Sequence, residues 1–199
     1  MARTTPDGTR RSERSRVAIL TATRELIGET DYAKLTIEAI AARAGVGKQT
    51  IYRWWPSKGA VVFDALLAAS EHPDDGGIEL PDTGDIATDL RTVLRATAAE
   101  FADPAFAGPI RALTTEIVND AALAEIYRER MELPLREAKK RRLRSAQQAG
   151  QLRADADLDL VLDLLYGPLT HRWLQCSGPL DDNFADALVD MVLRAFAPD

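Results

Sequence analysis

Residues 47–54 concentrate side chains that could recognise a nucleic acid. On a short helix with Ile51 and Trp55 turned inward at i, i+4 spacing, Gly47, Lys48, Gln49, Thr50, Tyr52 and Trp54 face outward. The Lys48 ammonium can neutralise a phosphate. The Gln49 amide carries both donor and acceptor for an adenine or guanine edge. Thr50 offers a hydroxyl, and Tyr52 and Trp54 can reach phosphate or a thymine methyl. Lys58 follows after Pro56 and Ser57.

Catalytic and metal chemistry has little to build on. There are two histidines, His72 and His171, and one cysteine, Cys176. None has the spacing of a metal site, and neither a nucleophile elbow nor a dinucleotide fingerprint is present. His171 could act as a base in a cofactor-free enzyme. It reads better as a satisfied core polar group or as part of a ligand cavity, and His72 reads as a solvated loop residue. Gly45-Val46-Gly47-Lys48-Gln49-Thr50 superficially suggests a phosphate-binding loop. The earlier glycine is absent, however, Gln49 stands where Ser or Thr is needed, and no strand precedes it. No metal and no cofactor is expected.

The elements that must position the outward face are short. Thr36 is a good N-cap, and Leu35 with Ile40 has the spacing of a hydrophobic staple. Ile37, Ile40, Ala41 and Ala44 form one buried helical face. Gly45 suits a left-handed helix end. A second helix then runs to Pro56, and Ser57 can cap a third. Two helices of under ten residues around a glycine-containing turn of about three make a helix-turn-helix, though such shapes also serve as packing units without nucleic acid. A preceding helix over 12–29, with Ile19, Ala22, Thr23, Leu26 and Ile27 as its apolar stripe, would pack over the pair, and Arg14 and Arg16 on it could meet phosphate. Residues 1–11 read as a polar arm in which Arg3, Arg10 and Arg11 contact DNA or lie free in solvent.

With these residues in view, the segment resembles the DNA-binding part of the TetR/AcrR family of bacterial transcriptional regulators. The resemblance rests on Thr36, Ile40-Ala41, Ala44-Gly45-Val46, Thr50-Ile51-Tyr52 and Pro56-Ser57-Lys58. Trp55 stands where the family usually has Phe, and Gly59 where an acid often follows the lysine. The resemblance implies an all-α chain. An N-terminal three-helix helix-turn-helix domain would be followed by a C-terminal helical ligand-binding and dimerisation domain, about nine helices in all. It implies Lys48, Gln49 and Thr50 at or near bases, and Thr36, Tyr52, Trp54 and Lys58 on phosphate.

Charge and composition agree. Hydrophobic residues are 46% of the 199, ordinary for a globular chain. No apolar run approaches a membrane span, no export signal is visible, and a single cysteine fits a reducing cytoplasm. The net charge of −6 is unevenly placed: residues 1–70 hold 11 Lys/Arg against 7 Asp/Glu, and the remainder 14 against 24. Positive potential therefore sits with the recognition segment.

The Pro-, Gly- and acid-rich stretch 71–82 divides a DNA-binding domain over 1–70 from a helical domain over 83–199. The latter reads as helices over about 85–102, over a stretch that ends near Val118 and is bent or restarted at Gly108-Pro109, and over 120–149. The last of these is kinked or split at Pro134 and stopped at Gly150. Two more follow at 157–174 and 181–196. The basic run Lys139–Arg144 reads as a solvated helix face with i, i+4 pairs such as Glu132–Arg136. The helix over 157–174 is apolar nearly all round and needs a partner. Val161, Leu165, Leu188 and Val192 are therefore expected in a four-helix homodimer interface. The family resemblance implies a small-molecule pocket, with Phe101, Phe106, Tyr127, Met131, Tyr166, Thr170, His171 and Trp173 as candidates. The expected protein is a ligand-released homodimeric regulator, most simply a repressor, on a palindromic duplex operator. The alternative is a helical small-molecule-binding protein without DNA function.

Overall fold

A computed structural model describes residues 6–70 and 80–198, with the side chains of 6–11, 69, 70, 105 and 106 outside the description. Arg3, His72 and the Phe106 side chain lie outside the described residues. Among the described residues every regular element is helical: α1 (Pro6–Glu29), α2 (Ile37–Ala44), α3 (Lys48–Tyr52), α4 (Lys58–Ser70), α5 (Ile86–Ala102), α6 (Pro104–Asn119) and α7 (Ala121–Tyr127), then a π turn (Arg128–Glu132), α8 (Leu133–Gln148), α9 (Leu158–Gln175) and α10 (Asp182–Ala195). Counting the uninterrupted α7, π turn and α8 as one run, the described residues hold nine helices, and none is long and apolar enough to cross a membrane.

Local chemistry sets the boundaries. Thr36 caps α2, its Oγ1 accepting from the Ala39 amide at 3.1 Å. Asp85, Asp157 and Asp181 cap α5, α9 and α10 in the same way. Ser57 Oγ accepts from the Ala60 amide at 3.2 Å, and Asp120 Oδ1 from those of Ala122 and Leu123. Gly45 ends α2 at φ 66°, and Gly150 follows α8 at φ 69°. Pro134 sits in the first turn of α8, directly after the π turn, where its missing amide hydrogen is harmless, so the run changes helix type there without a break. Helix α6 instead continues through Pro109.

The chain forms two compact units: Met1–Asp74 with Gly108–Tyr127, and Asp75–Ala107 with Arg128–Asp199. This grouping differs from a division by chain order, because the Gly108–Tyr127 segment joins the first unit. Gly59 gives the physical reason. A Cβ there would collide with the Glu116 carboxylate and lie 2.6 Å from Leu123 Cδ2, so only glycine admits this approach to the start of α4. In the first unit α1 packs on α2 and α4, and α4 on α7, around Ile19, Leu35, Ile40, Ile51, Val61 and Phe63. The helix expected to start at Ser12 starts at Pro6, so residues 6–11 are helical rather than an extended arm.

In the second unit α10 packs on α5 and α9, and α8 on α9. Leu90, Leu94, Leu143, Leu162, Leu169 and Val189 are among the residues of its core. The Arg142 guanidinium, buried in that unit, donates from Nε to Asp89 Oδ2 at 2.7 Å, with Nη2 2.6 Å from the same oxygen as an ion pair. Asp89 also accepts from the Thr83 amide and hydroxyl. Burial raises the Asp89 carboxyl pKa, and the bonds from Thr83 and Arg142 outweigh it, leaving the group below the usual carboxylate range.

Candidate functional site

Helix α3 is held from behind. Ile51 is fully buried and Trp55 nearly so. The Trp55 indole Nε1 donates to Asp64 Oδ2 at 2.8 Å, tying the end of the motif to α4, and Arg16 Nη2 lies 3.9 Å from the same carboxylate. The turn between α2 and α3 is Gly45-Val46-Gly47. The amides of Gly45 and Val46 donate to the carbonyls of Ala42 and Ala41, closing α2 in a Schellman-type end. Gly47 then caps α3 in an extended conformation.

The second helix is shorter than its sequence pattern suggests. It ends at Tyr52, and Trp54 and Trp55 follow as a last turn through bonds to the Ile51 carbonyl. Fixing Ile51 and Trp55 inward leaves Gly47, Lys48, Gln49, Tyr52 and Trp54 exposed and Thr50 half-buried. Tyr52 and Trp54 are 50% and 39% exposed, Trp54 with its ring tilted against Trp55 at 6.3 Å between centroids. Thr36 is also exposed, and its hydroxyl hydrogen remains free to donate while its oxygen caps α2.

Two cations differ from a free phosphate-binding lysine. The Lys48 ammonium donates to Glu38 Oε1 at 2.8 Å. That bond holds the Glu38 carboxyl below its ordinary range and raises the lysine pKa. Glu38 thus belongs to the outward face, and its position ten residues before Lys48 concealed it. Lys58, expected on phosphate, is turned inward. Its Nζ donates to the Tyr32 carbonyl at 3.1 Å, sits 4.0 Å from the Tyr32 ring centroid and lies 3.9 Å from Glu116. Burial and the neighbouring Glu116 carboxylate hold the Tyr32 hydroxyl well above its usual pKa.

The second unit rearranges several other expectations. Val161, Leu165, Leu188 and Val192, expected between subunits, are 0–4% exposed and fill the unit's own core. An apolar helix has no visible phase, and one residue rotates the face by about 100°. The exposed seam of α9 is Leu160, Leu164, Gly167, His171 and Leu174, with Ala187 and Met191 exposed on α10. His171 is therefore exposed, not a core polar group. Phe101 and Trp173 stack with centroids 4.4 Å apart, and Thr170, Tyr166 and Met131 are half-buried. Tyr127 lies in the first unit, edge-on to Phe63 at 5.7 Å. The basic run is largely neutralised: Arg136 and Lys140 bind Asp159, Arg136 also meets Glu132 and Asp163, and Arg144 binds Glu137. Among the described residues no group of three or more His, Cys, Asp or Glu side chains could hold a metal ion.

A glycine-turned helix pair, with a locked inner face and an amide, a cation and aromatics outside, defines a helix-turn-helix protein. The profile described as "Bacterial regulatory proteins, tetR family" matches residues 19–65, and "Tetracyclin repressor-like, C-terminal domain" matches residues 80–192. The chain is 35% identical over 190 residues to the uncharacterized HTH-type transcriptional regulator YdeS of Bacillus subtilis, covering 95% of this chain and 91% of that one. It is 32% identical to the DNA-binding transcriptional repressor TetR of Mycobacteroides abscessus, over 92% of this chain and 94% of that one. The crystal structure of the TetR family transcription regulator SCO0332 superposes with a TM-score of 0.75 at 36% identity, over 92% and 99% of the two chains. The chain belongs to the TetR family of transcriptional regulators.

Proposed function

We propose that this regulator is a homodimeric repressor that binds a palindromic operator through α3 and is released by a small molecule held in its second unit. The observation that carries the DNA reading is the exposed face of α3: Lys48, Gln49, Tyr52 and Trp54 stand outward because Ile51 and Trp55 are locked inward. Lys48, Gln49 and Thr50 approach base edges, and Gly47 lets the backbone come close. Tyr52, Trp54 and Thr36 hold phosphate and register. Lys58 acts from inside, fixing the start of α4 against Tyr32. The repressor sense is supported by the Mycobacteroides relative, itself a transcriptional repressor.

The dimer reading is carried by the exposed 4-3 spaced seam Leu160, Leu164, Gly167, His171 and Leu174, with Met191 of α10. This spacing suits packing against a second copy of α9 and α10. A two-fold dimer would place two α3 helices in major grooves about 34–36 Å apart or a multiple. The effector acts by binding the DNA-competent and released states unequally, and only that difference drives release. The test is salt-titrated fluorescence anisotropy on a bound duplex. Gln49→Ala should relax preference at one or two base pairs by roughly 1–3 kcal/mol, and Lys48→Ala should flatten the salt dependence. Unchanged specificity and slope in both variants would remove α3 from the contact.

A further inference from the structure

Several cations of α8 go to carboxylates, and Lys139 does not. Arg136 and Lys140 take Asp159, Arg142 takes Asp89 and Arg144 takes Glu137. The Lys139 ammonium instead lies 3.3 Å from the centroid of the Tyr166 ring on α9. Among the described residues no carboxylate is within ion-pair distance of it. The charges it feels are Glu132, itself engaged by Arg136 at 3.6 Å, and Arg136, which repels it. The Tyr166 hydroxyl, on the same side chain, is buried with no hydrogen-bond partner among the described residues.

An ammonium without a carboxylate and a hydroxyl without a hydrogen-bond partner thus meet at a half-buried place. A ring face compensates an ammonium only in part, by about 0.5–2 kcal/mol, and an unpaired buried polar group is unfavourable. Burial accordingly pushes the Lys139 ammonium down to about 8 and the Tyr166 hydroxyl above its usual pKa. Lys139 and Tyr166 are each partly exposed as residues, while the Tyr166 hydroxyl oxygen itself is buried.

The surroundings describe the rest of a ligand. Tyr166 and Trp173 are seven residues apart on α9, about 10 Å along one face, and Trp173 is backed by the stacked Phe101 ring. We propose that Lys139 and Tyr166 are the anchoring end of an effector site for a small organic anion, a carboxylate or sulfonate carried on a flat apolar body of about two fused rings. The anion would accept from both donors and supply the missing counter-charge, while the body lies along Thr170 toward Trp173. An uncharged phenol or alcohol could satisfy the hydroxyl but not the ammonium. This assignment rests on the effector-responsive reading above.

The test uses 2-naphthoate against its neutral isostere 2-naphthamide, titrated calorimetrically into the full-length protein. Naphthoate should bind at least tenfold more tightly than the amide. Lys139→Met should abolish that preference while keeping the amide affinity and the thermal midpoint. Tyr166→Phe should weaken naphthoate several-fold. Equal binding of acid and amide, no saturable naphthoate binding, or a preference that survives Lys139→Met would overturn the proposal. Titrating naphthoate into a protein–operator complex judges the other reading separately: calorimetric binding without operator release keeps the anion site and refutes its role in regulation.

Discussion

Replacing Gly59 by alanine tests the packing that joins the Gly108–Tyr127 segment to the helix-turn-helix unit. In an exposed helix the change would be expected to stabilise by about 0.5–1 kcal/mol, through lower backbone entropy in the unfolded chain. Here the new Cβ meets the Glu116 carboxylate and would lie 2.6 Å from Leu123 Cδ2. Glu116 ends a flexible side chain and can swing away, giving up its approach to Lys58. Leu123 is 1% exposed and has nowhere to go. Overpacking of this kind costs about 1–3 kcal/mol, so the net effect should be a loss of about 1–2 kcal/mol. A cycle isolates the cause. Leu123→Ala alone should cost about 2–5 kcal/mol through the cavity it leaves. Adding Gly59→Ala on that background should be neutral or stabilising by up to about 1 kcal/mol. Urea unfolding followed by tryptophan fluorescence in a Trp173→Phe background reports this unit, because the remaining indoles are Trp54 and Trp55. If Gly59→Ala alone raises stability by about 1 kcal/mol, the close approach argued here is refuted.

Glu38→Gln should free the Lys48 ammonium and remove a negative charge from the DNA-facing surface, tightening binding to all duplexes. The slope of log affinity against log salt should steepen by up to about 0.9; an unchanged slope in anisotropy titrations would count against the pairing. Leu164→Glu should yield a folded monomer, whereas Leu165→Glu, one residue on, should unfold the second unit; sedimentation with circular dichroism separates these, and a folded dimer with Leu164→Glu would contradict the seam. Asp89 has a lowered folded pKa, so its contribution is complete above its ordinary value of 3.8 and is lost as pH falls through the folded value. Acid unfolding between pH 5 and 2 should therefore have a shallower pH dependence in Asp89→Asn. That variant should also lose roughly 3 kcal/mol near neutrality by leaving Arg142 half-paired, Asp82 remaining 3.4 Å away; a parallel pH profile would place the acid-sensitive group elsewhere.

The helix-turn-helix was legible because its signals are local. Thr36 as cap, Gly45 as left-handed stop, and Ile51 and Trp55 as the inner pair are each visible within a few residues, and the structure puts each in that position. What escaped was non-local or lacked periodicity. Nothing near Lys58 announces the Tyr32 carbonyl 26 residues earlier. Glu38 becomes a partner of Lys48 only after the turn folds them together. The exposed face of α9 lies one residue before the positions the pattern picked out, because a helix with leucine or valine on nearly every side has no moment to set its phase. Gly59 was visible as a departure from the family pattern, but its meaning required α6. Lys139 lay in a run that reads as a solvated face. The structure agrees for Arg144, exposed and paired with Glu137, whereas Arg142 is buried on Asp89 and Lys139 stands apart through its aromatic partner.

The central claim is that α3 of a two-fold dimer reads duplex DNA. The most direct measurement is selection from a random duplex library with the purified protein, run beside a Lys48→Ala, Tyr52→Phe double variant. The selection should yield an enriched inverted repeat whose half-sites lie about one helical turn apart or a multiple, bound poorly by the variant. Enrichment of no site at low salt, before and after unfolding and refolding to strip any bound effector, would contradict it, as would an enriched site that the variant binds as well as the parent.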